Sequence, residues 1–106
     1  MIQAEIFTQA DGKMIGFSVK GHANTAPKGY DIYCAGVSAL TQSAFICVRD
    51  YLKLDFNSDF ADGKLMMKLK TPANDLTEAV FQTMLTGLRE MEKIAPKIIK
   101  LKYTNF

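Results

Sequence analysis

Two Asp-Gly pairs, Asp11-Gly12 and Asp62-Gly63, each join two segments in which apolar residues alternate along the chain. Such alternation indicates strands with one buried face, and Asp-Gly supplies the positive-φ positions of a tight hairpin turn. The first hairpin is predicted over residues 2–8 and 14–20. The second pairs two sets of alternating residues, Leu54, Phe56, Ser58 and Phe60 with Leu65, Met67 and Leu69.

Each hairpin is followed by apolar residues at steps of three or four, which indicates an amphipathic helix. The first helix is predicted from Asp31, with the stripe Cys34, Val37, Leu40, Ala44, Cys47, Val48 and Tyr51. The second begins at Asn74 or Asp75 and ends before Pro96, with the stripe Leu76, Val80, Met84, Leu88 and Met91. A last strand contains Ile99, Leu101 and Tyr103. The order ββαββαβ predicts an α+β fold, with a mainly antiparallel five-stranded sheet and two helices.

Composition indicates an ordinary globular chain. Its 106 residues are 48% hydrophobic and 23% charged, so we expect a single domain over residues 1–106. The net charge of +2 predicts only weak attraction to nucleic acid, and direct binding is not expected. The N-terminal residues lack a signal-peptide pattern, and no stretch is expected to reach the roughly 18 apolar residues of a membrane span. We therefore expect a cytoplasmic protein without membrane contact.

The chain's single histidine, His22, precedes Cys34 by a short loop that contains Pro27 and Gly29. In the predicted layout His22 follows the second strand, and Cys34 lies in the first turn of a helix. The positive end of the helix dipole favours a thiolate there, and a histidine within hydrogen-bond reach could act as the base. The backbone N–H groups of Cys34 and Ala35 could stabilise an oxyanion. This arrangement predicts a Cys-His dyad for acyl transfer.

Other interpretations of these residues remain open. Cys34 continues an apolar stripe and could be an inert core residue. For Asp31 we favour a capping role at the helix N-terminus, with orientation of His22 as the alternative. Ser38, one turn after Cys34, is expected to be a packing or polar neighbour of the site, not a nucleophile.

The second cysteine, Cys47, is interpreted as core. On one helix it would lie about 20 Å from Cys34, too far for a disulfide, so both thiols should be reduced. No metal site and no cofactor are expected, since a structural zinc needs about four Cys or His ligands and the chain has three such residues in total.

Lysines cluster on the second hairpin and near the C-terminus. Solvated faces and edge-strand charges that discourage sheet pairing are the favoured interpretation, and contact with RNA or with acidic neighbours is the alternative. The clusters are Lys64, Lys68 and Lys70, and Lys93, Lys97, Lys100 and Lys102. Phe56, Phe60 and Phe81 are assigned to the core.

The run around the histidine and the cysteine resembles the signature of the bacterial ribosomal-processing cysteine protease family. The matching residues are Gly21, His22, Ala23, Gly29, Asp31, Ile32, Cys34, Ala35, Val37, Ser38, Ala39 and Leu40. The length and the order ββαββαβ are also those of the family. Two positions depart from its usual pattern, Tyr33 where a small β-branched residue is common and Gly36 where alanine is common.

The resemblance implies a cysteine endopeptidase that removes a short N-terminal extension from ribosomal protein twenty-seven of the large subunit during ribosome maturation. It implies Cys34 as nucleophile, His22 as base, Gly21 beside them, and a homodimer. It also implies a mobile substrate loop, formed by Asn24, Thr25, Ala26, Pro27, Lys28, Gly29 and Tyr30. The alternative is a noncatalytic ribosome-associated or RNA-binding module in which the lysines matter and Cys34 is core.

Overall fold

The computed structural model of the protein describes residues 1–21 and 31–106, with only the backbone of Asp31. It confirms the order ββαββαβ and the α+β class. The elements are β1 Ile2–Thr8, β2 Met14–Lys20, α1 Asp31–Ile46 continued by a π-helical segment Cys47–Leu52, β3 Phe56–Ala61, β4 Lys64–Leu69, α2 Asp75–Ile94 and β5 Ile99–Asn105.

Both predicted hairpins form around their Asp-Gly pairs. Gly12 has φ of 89° and Gly63 has φ of 73°, conformations that glycine adopts without the steric cost of a side chain. In the first turn the Asp11 carboxylate accepts the backbone N–H of Lys13 at 2.9 Å. This hydrogen bond is the main reason that the pKa of Asp11 is lowered. The turn chemistry read from the sequence is therefore confirmed.

The five strands form one sheet in the order β3-β4-β2-β1-β5. Three neighbouring pairs are antiparallel and β1 pairs with β5 in parallel, so the sheet is mixed but mainly antiparallel. Alternate residues of the strands, among them Ala4, Ile6 and Phe17, share the buried core with residues of both helices. Phe17 meets Phe81 of α2 edge to face, with ring centroids 6.0 Å apart. Both helices thus supply the apolar cover of one sheet face.

The first helix differs from its predicted stripe at its C-terminal end. Tyr51 was expected to be buried, but 80% of it is exposed, while Val48 is buried and Leu52 packs against the core. The π-helical turn explains this difference, because its wider i to i+5 hydrogen bonding rotates the following residues relative to an α-helix. Lys53, in the left-handed region with φ of 54°, ends the segment.

The second helix begins after Asn74, one of the two predicted starts. A capping box fixes this start: the Asn74 side chain accepts the Thr77 backbone N–H at 3.0 Å, and the Thr77 hydroxyl accepts the Asn74 backbone N–H at 2.9 Å. The predicted stripe is correct at Met84 and Leu88, which are buried, but wrong at Leu76, which is 66% exposed. A stripe that advances by four residues at each step drifts by about 40° per step on a helix of 3.6 residues per turn, so its first residue falls outside the buried face.

Two assignments on the second hairpin are also corrected. Phe60, assigned to the core, is 68% exposed because it lies on the edge strand β3, next to the turn, where the sheet face borders an open cleft. Lys64 and Lys68 lie on β4, which is flanked by β3 and β2, so they are not edge-strand charges. That interpretation remains only for Lys100 and Lys102, on the edge strand β5.

One helical stretch, Ile32–Leu52, is 21 residues long and contains an 18-residue window with a mean hydropathy of 1.2, which reaches the range of membrane-spanning helices by length and composition. The expectation that no stretch would approach a span was therefore wrong by these two criteria. Of this window 22% is buried, and its buried residues Val37, Ala44 and Val48 pack among residues of the sheet and of α2.

Candidate active site

Cys34 lies on the first turn of α1, as predicted. The helix begins at Asp31, and Cys34 is half-buried, packed against the core yet open to a cleft. A residue here lies near the unpaired N–H groups and the positive end of the helix dipole, which stabilise an anion. Cys34 is therefore neither sealed in the core nor fully exposed, and both its placement and its access suit a reactive thiol.

The cleft has a volume of about 340 Å³ and three walls. The ends of β1 and β2 form the first, α1 forms the second, and the tip of the β3–β4 hairpin forms the third. The lining residues are Ile2, Val19, Gly21, Cys34, Val37, Ser38, Thr41, Gln42, Phe60, Ala61, Asp62, Gly63, Lys64 and Leu65. An extended peptide could lie between the helix and the hairpin tip with its backbone beside Cys34.

The polar groups of the helix wall differ in their availability. The Thr41 hydroxyl donates to the Val37 carbonyl at 2.8 Å and Thr41 is buried, so it serves the helix itself. Ser38 and Gln42 are exposed on the cleft side, four and eight residues after Cys34. Across the cleft, Lys64 pairs with Asp59 at 2.9 Å. Ser38 and Gln42 are thus polar groups available to a peptide.

The residue that follows β2 is hydrogen-bonded to the tip of the β3–β4 hairpin. The Gly21 N–H donates to the Gly63 carbonyl at 3.0 Å, and Gly21 has φ of 138°, a backbone conformation that side chains rarely adopt. A Cβ at Gly21 would stand 2.7 Å from the Met1 carbonyl oxygen and 2.9 Å from the Ile2 Cα. Glycine is therefore required at the position immediately before His22, and its neighbours there are backbone atoms.

The structure brings together three of the predicted site residues, Gly21, Cys34 and Ser38, in one cleft. Ala35 is exposed on α1. The capping prediction for Asp31 concerns its side chain, which lies outside the described residues. His22 and the predicted substrate loop Asn24, Thr25, Ala26, Pro27, Lys28, Gly29 and Tyr30 lie outside them as well.

Sequence reasoning missed most of the cleft wall. Thr41 and Gln42 follow Cys34 by seven and eight residues, a helical spacing that could have placed them on the same face. The hairpin tip gave no such signal, because only the sheet order brings it opposite α1. Cys47 lies in a separate apolar groove between the two helices, with Leu40, Val80 and Met84, which agrees with its interpretation as a packing residue. Both cysteines are free thiols.

No cluster of three or more His, Cys, Asp or Glu side chains that could hold a metal ion occurs within residues 1–21 and 31–106.

A sequence profile of the family described as cysteine protease Prp matches residues 1–100. The chain belongs to this family. The ribosomal processing cysteine protease Prp of Staphylococcus aureus strain Mu50 is 31% identical over 106 residues, which are 97% of this chain and 99% of that protein. The protein of the same name from Bacillus subtilis strain 168 is 46% identical over 44 residues, which are 42% of this chain and 39% of that protein.

Solved structures agree over the whole fold. The crystal structure of the essential ribosomal processing protease Prp from S. aureus in complex with a substrate peptide has a TM-score of 0.88 at 26% identity. It covers 98% of this chain and 100% of that one. A second structure of the S. aureus protease, with a covalently linked product peptide, has a TM-score of 0.85 at 27% identity and the same coverage. The resemblance seen in the sequence is confirmed at the level of the family.

Proposed function

We propose that this protein is a cysteine endopeptidase that removes a short N-terminal extension from a large-subunit ribosomal protein during ribosome maturation. The observation that carries the proposal is the position of Cys34, half-buried on the first turn of α1 and open to a cleft of about 340 Å³. Membership of a cysteine protease family supports the reaction type. The S. aureus relative with a covalently linked product peptide supports a covalent intermediate.

In the proposed mechanism Cys34 is the nucleophile and His22 the base. Cys34 Sγ attacks the scissile carbonyl carbon, and its proton passes to His22. The backbone N–H groups of Cys34 and Ala35 donate to the oxyanion. His22 then returns the proton to the leaving amine, and water hydrolyses the acyl-enzyme to the free acid and the thiol.

The support for His22 comes from chain connectivity, because it directly follows Gly21, which lines the same cleft as Cys34. Asp31 would cap α1 or orient the imidazole. The loop from Asn24 to Tyr30, which joins His22 to α1 in the sequence, would contact the peptide. No cofactor is needed for this chemistry.

The test is incubation of the protein with a ribosomal protein that carries its N-terminal extension, followed by intact mass measurement. We expect loss of the extension with the native chain and with Cys47→Ala, the matched control, and no cleavage with Cys34→Ala. His22→Ala should lower the rate of cleavage by at least about a hundredfold. Equal cleavage by Cys34→Ala and the native chain would refute the assignment, and the noncatalytic module would then be the better explanation.

Activation of Cys34 has its own test, which needs no substrate. Near neutral pH, iodoacetamide should alkylate Cys34 faster than Cys47 in the folded protein, because the helix N-terminus favours the thiolate. His22→Ala should slow the reaction at Cys34 and leave that at Cys47 unchanged. Equal rates at the two cysteines would argue against an activated nucleophile.

The proposal includes a cytoplasmic homodimer. Several large apolar residues are exposed outside the cleft, among them Ile32 at 70% and Ile94 at 72%. Such exposure is typical of surfaces that a partner covers. Sedimentation velocity at micromolar concentration should give twice the mass of the 11.8 kDa chain, and Ile32→Glu should shift the protein towards the monomer. A native chain that sediments as a monomer would contradict the dimer but not the peptidase activity.

A further inference from the structure

The sheet face opposite the helices carries a row of lysines that are far apart in the sequence. Strand register aligns Ala61, Lys64, Lys20, Gln3 and Lys100 directly across the five strands. At about 4.8 Å between strands, this row spans about 19 Å. The next row contains Asp59, Met66, Ser18, Glu5 and Lys102 in the same way. We refer to the lysines of these two adjacent rows, Lys20, Lys64, Lys100 and Lys102, together as the lysine row.

Cross-strand pairing in this row works against stability. Lys20 stands directly opposite Lys64 in the antiparallel pair of β2 and β4, and like charges in that position repel. Neither position is on an edge strand, so protection of a sheet edge does not explain the pair. A charge arrangement that the fold does not need, on an exposed surface, indicates a ligand of opposite sign.

Two carboxylates lie on these strands among the described residues of this face, and they leave most of the lysine charge uncompensated. Asp59 is bound to Lys64 at 2.9 Å. Glu5 accepts a hydrogen bond from the Thr104 hydroxyl. Lys20, Lys100 and Lys102 are exposed around a hollow of about 470 Å³ that Gln3, Glu5 and Ser18 also line. The hollow therefore presents three cations to one anion.

The chemistry of this surface fits a phosphodiester chain better than an acidic peptide. The side chains around the hollow are polar or charged, since Ala4 directs its methyl group into the core on the other face, so a peptide would find little apolar surface on which to anchor its side chains. A nucleic acid carries one charge per nucleotide and binds through its phosphates by cation contact alone. Contact with phosphates alone carries no sequence information, which predicts binding without sequence preference.

We propose that the lysine row binds the phosphate backbone of nucleic acid, and that the ligand is RNA if the ribosomal function proposed above holds. This surface meets the cleft only at Lys64, since Lys20, Lys100 and Lys102 do not line the cleft. The row revises the expectation from net charge alone, because the fold concentrates on one face lysines that the sequence distributes over three segments.

The test is fluorescence anisotropy of a labelled mixed-sequence 20-nucleotide RNA titrated with the full chain. With about four phosphates neutralised, we expect the logarithm of affinity to fall with the logarithm of salt with a slope of about −3. Lys20→Gln, Lys100→Gln and Lys102→Gln combined should weaken binding at least tenfold and reduce the slope to about −1. The matched control combines Lys13→Gln, Lys53→Gln and Lys93→Gln, which changes net charge equally on other surfaces and should weaken binding less than threefold.

Equal weakening by the two triple variants would overturn the proposal, because net charge alone would then explain binding. Poly-glutamate and unlabelled RNA should also be compared as competitors at the same charge concentration. If poly-glutamate displaces the labelled RNA as effectively as unlabelled RNA does, the proposal is overturned in favour of an acidic protein partner. DNA of the same sequence should bind within about threefold of RNA, because the contacts reach phosphates only. Retained RNA binding in Cys34→Ala, and retained peptide cleavage in the lysine-row triple variant, separate this proposal from the peptidase.

Discussion

The most informative single change is Gly21→Ala, since it tests whether the end of β2 must pass close to the N-terminus to present His22. The added Cβ would meet the Met1 carbonyl oxygen at 2.7 Å and the Ile2 Cα at 2.9 Å. Both are backbone atoms, one in the first residue of β1 and one in the residue before it, so neither can rotate away as a side chain could. The φ of 138° is in addition a region that alanine rarely adopts.

Backbone strain of this kind costs about 1 to 3 kcal/mol, and relief of the clash by a shift of β1 or β2 adds to it. We expect Gly21→Ala to lower the free energy of unfolding by about 2 to 4 kcal/mol in urea titrations, near the upper end for point mutations. Cleavage per folded molecule should fall as well, because relief of the clash displaces the residue before His22, which lines the cleft beside Cys34.

Gly12→Ala is the matched control. Gly12 also has positive φ, at 89°, but its added Cβ would have no atom within 4 Å. It should cost only about 1 to 2 kcal/mol for the left-handed conformation and leave cleavage per folded molecule unchanged. If the two variants lose the same free energy and retain the same activity, close packing of Gly21 is irrelevant to the site and the reasoning is refuted.

Three further changes test the fold and the cleft. Asn74→Ala removes the capping box of α2 and should lower the free energy of unfolding by about 1 kcal/mol, measured by urea titration; a loss below about 0.3 kcal/mol would show that the cap contributes little. Gly36→Ala should stabilise by about 0.5 to 1 kcal/mol, since the new Cβ meets only the flexible end of Met91 at 3.0 Å, and a destabilised variant would show that this side chain cannot yield. Phe60→Ala should change stability by less than about 0.5 kcal/mol because the ring is exposed, yet raise the KM for the peptide several-fold because the ring lines the cleft; an unchanged KM in steady-state cleavage would exclude contact with substrate.

The parts of the fold that depend on local chemistry could be predicted from the sequence. The Asp-Gly turns, the alternation of Ile2, Ala4 and Ile6, and the start of α2 after Asn74 all follow from neighbours within a few residues. The strand order could not be predicted, because it depends on contacts between distant segments. The buried faces of the helices were only partly predicted: a stripe stepped by four residues drifts off the buried face of α2 at Leu76, and a π-helical turn rotates the end of the first helix before Tyr51.

The candidate site shows the same division. The position of Cys34 on the first turn of α1 follows from periodicity, and its opening to a cleft beside Gly21 depends on β2 ending there. The opposite wall, from Phe60 to Lys64, comes from a hairpin that sequence analysis treated as structural. Phe60 was assigned to the core because it alternates with Phe56; both residues lie on the helix face of the sheet, but Phe60 faces the open cleft between α1 and the hairpin tip and is not packed in the core.

Val19, Lys20 and Gly21, at the end of β2, contribute to both proposed surfaces. Val19 and Gly21 line the cleft, while Lys20 between them belongs to the lysine row on the other face, as the two-residue period of a strand requires. Lys64, opposite Lys20, borders both surfaces. A nucleic acid on the row and a peptide in the cleft would therefore lie back to back across one layer of sheet without competing for space. An extension tethered to the same RNA would reach Cys34 at a high effective concentration, with no added peptide contact.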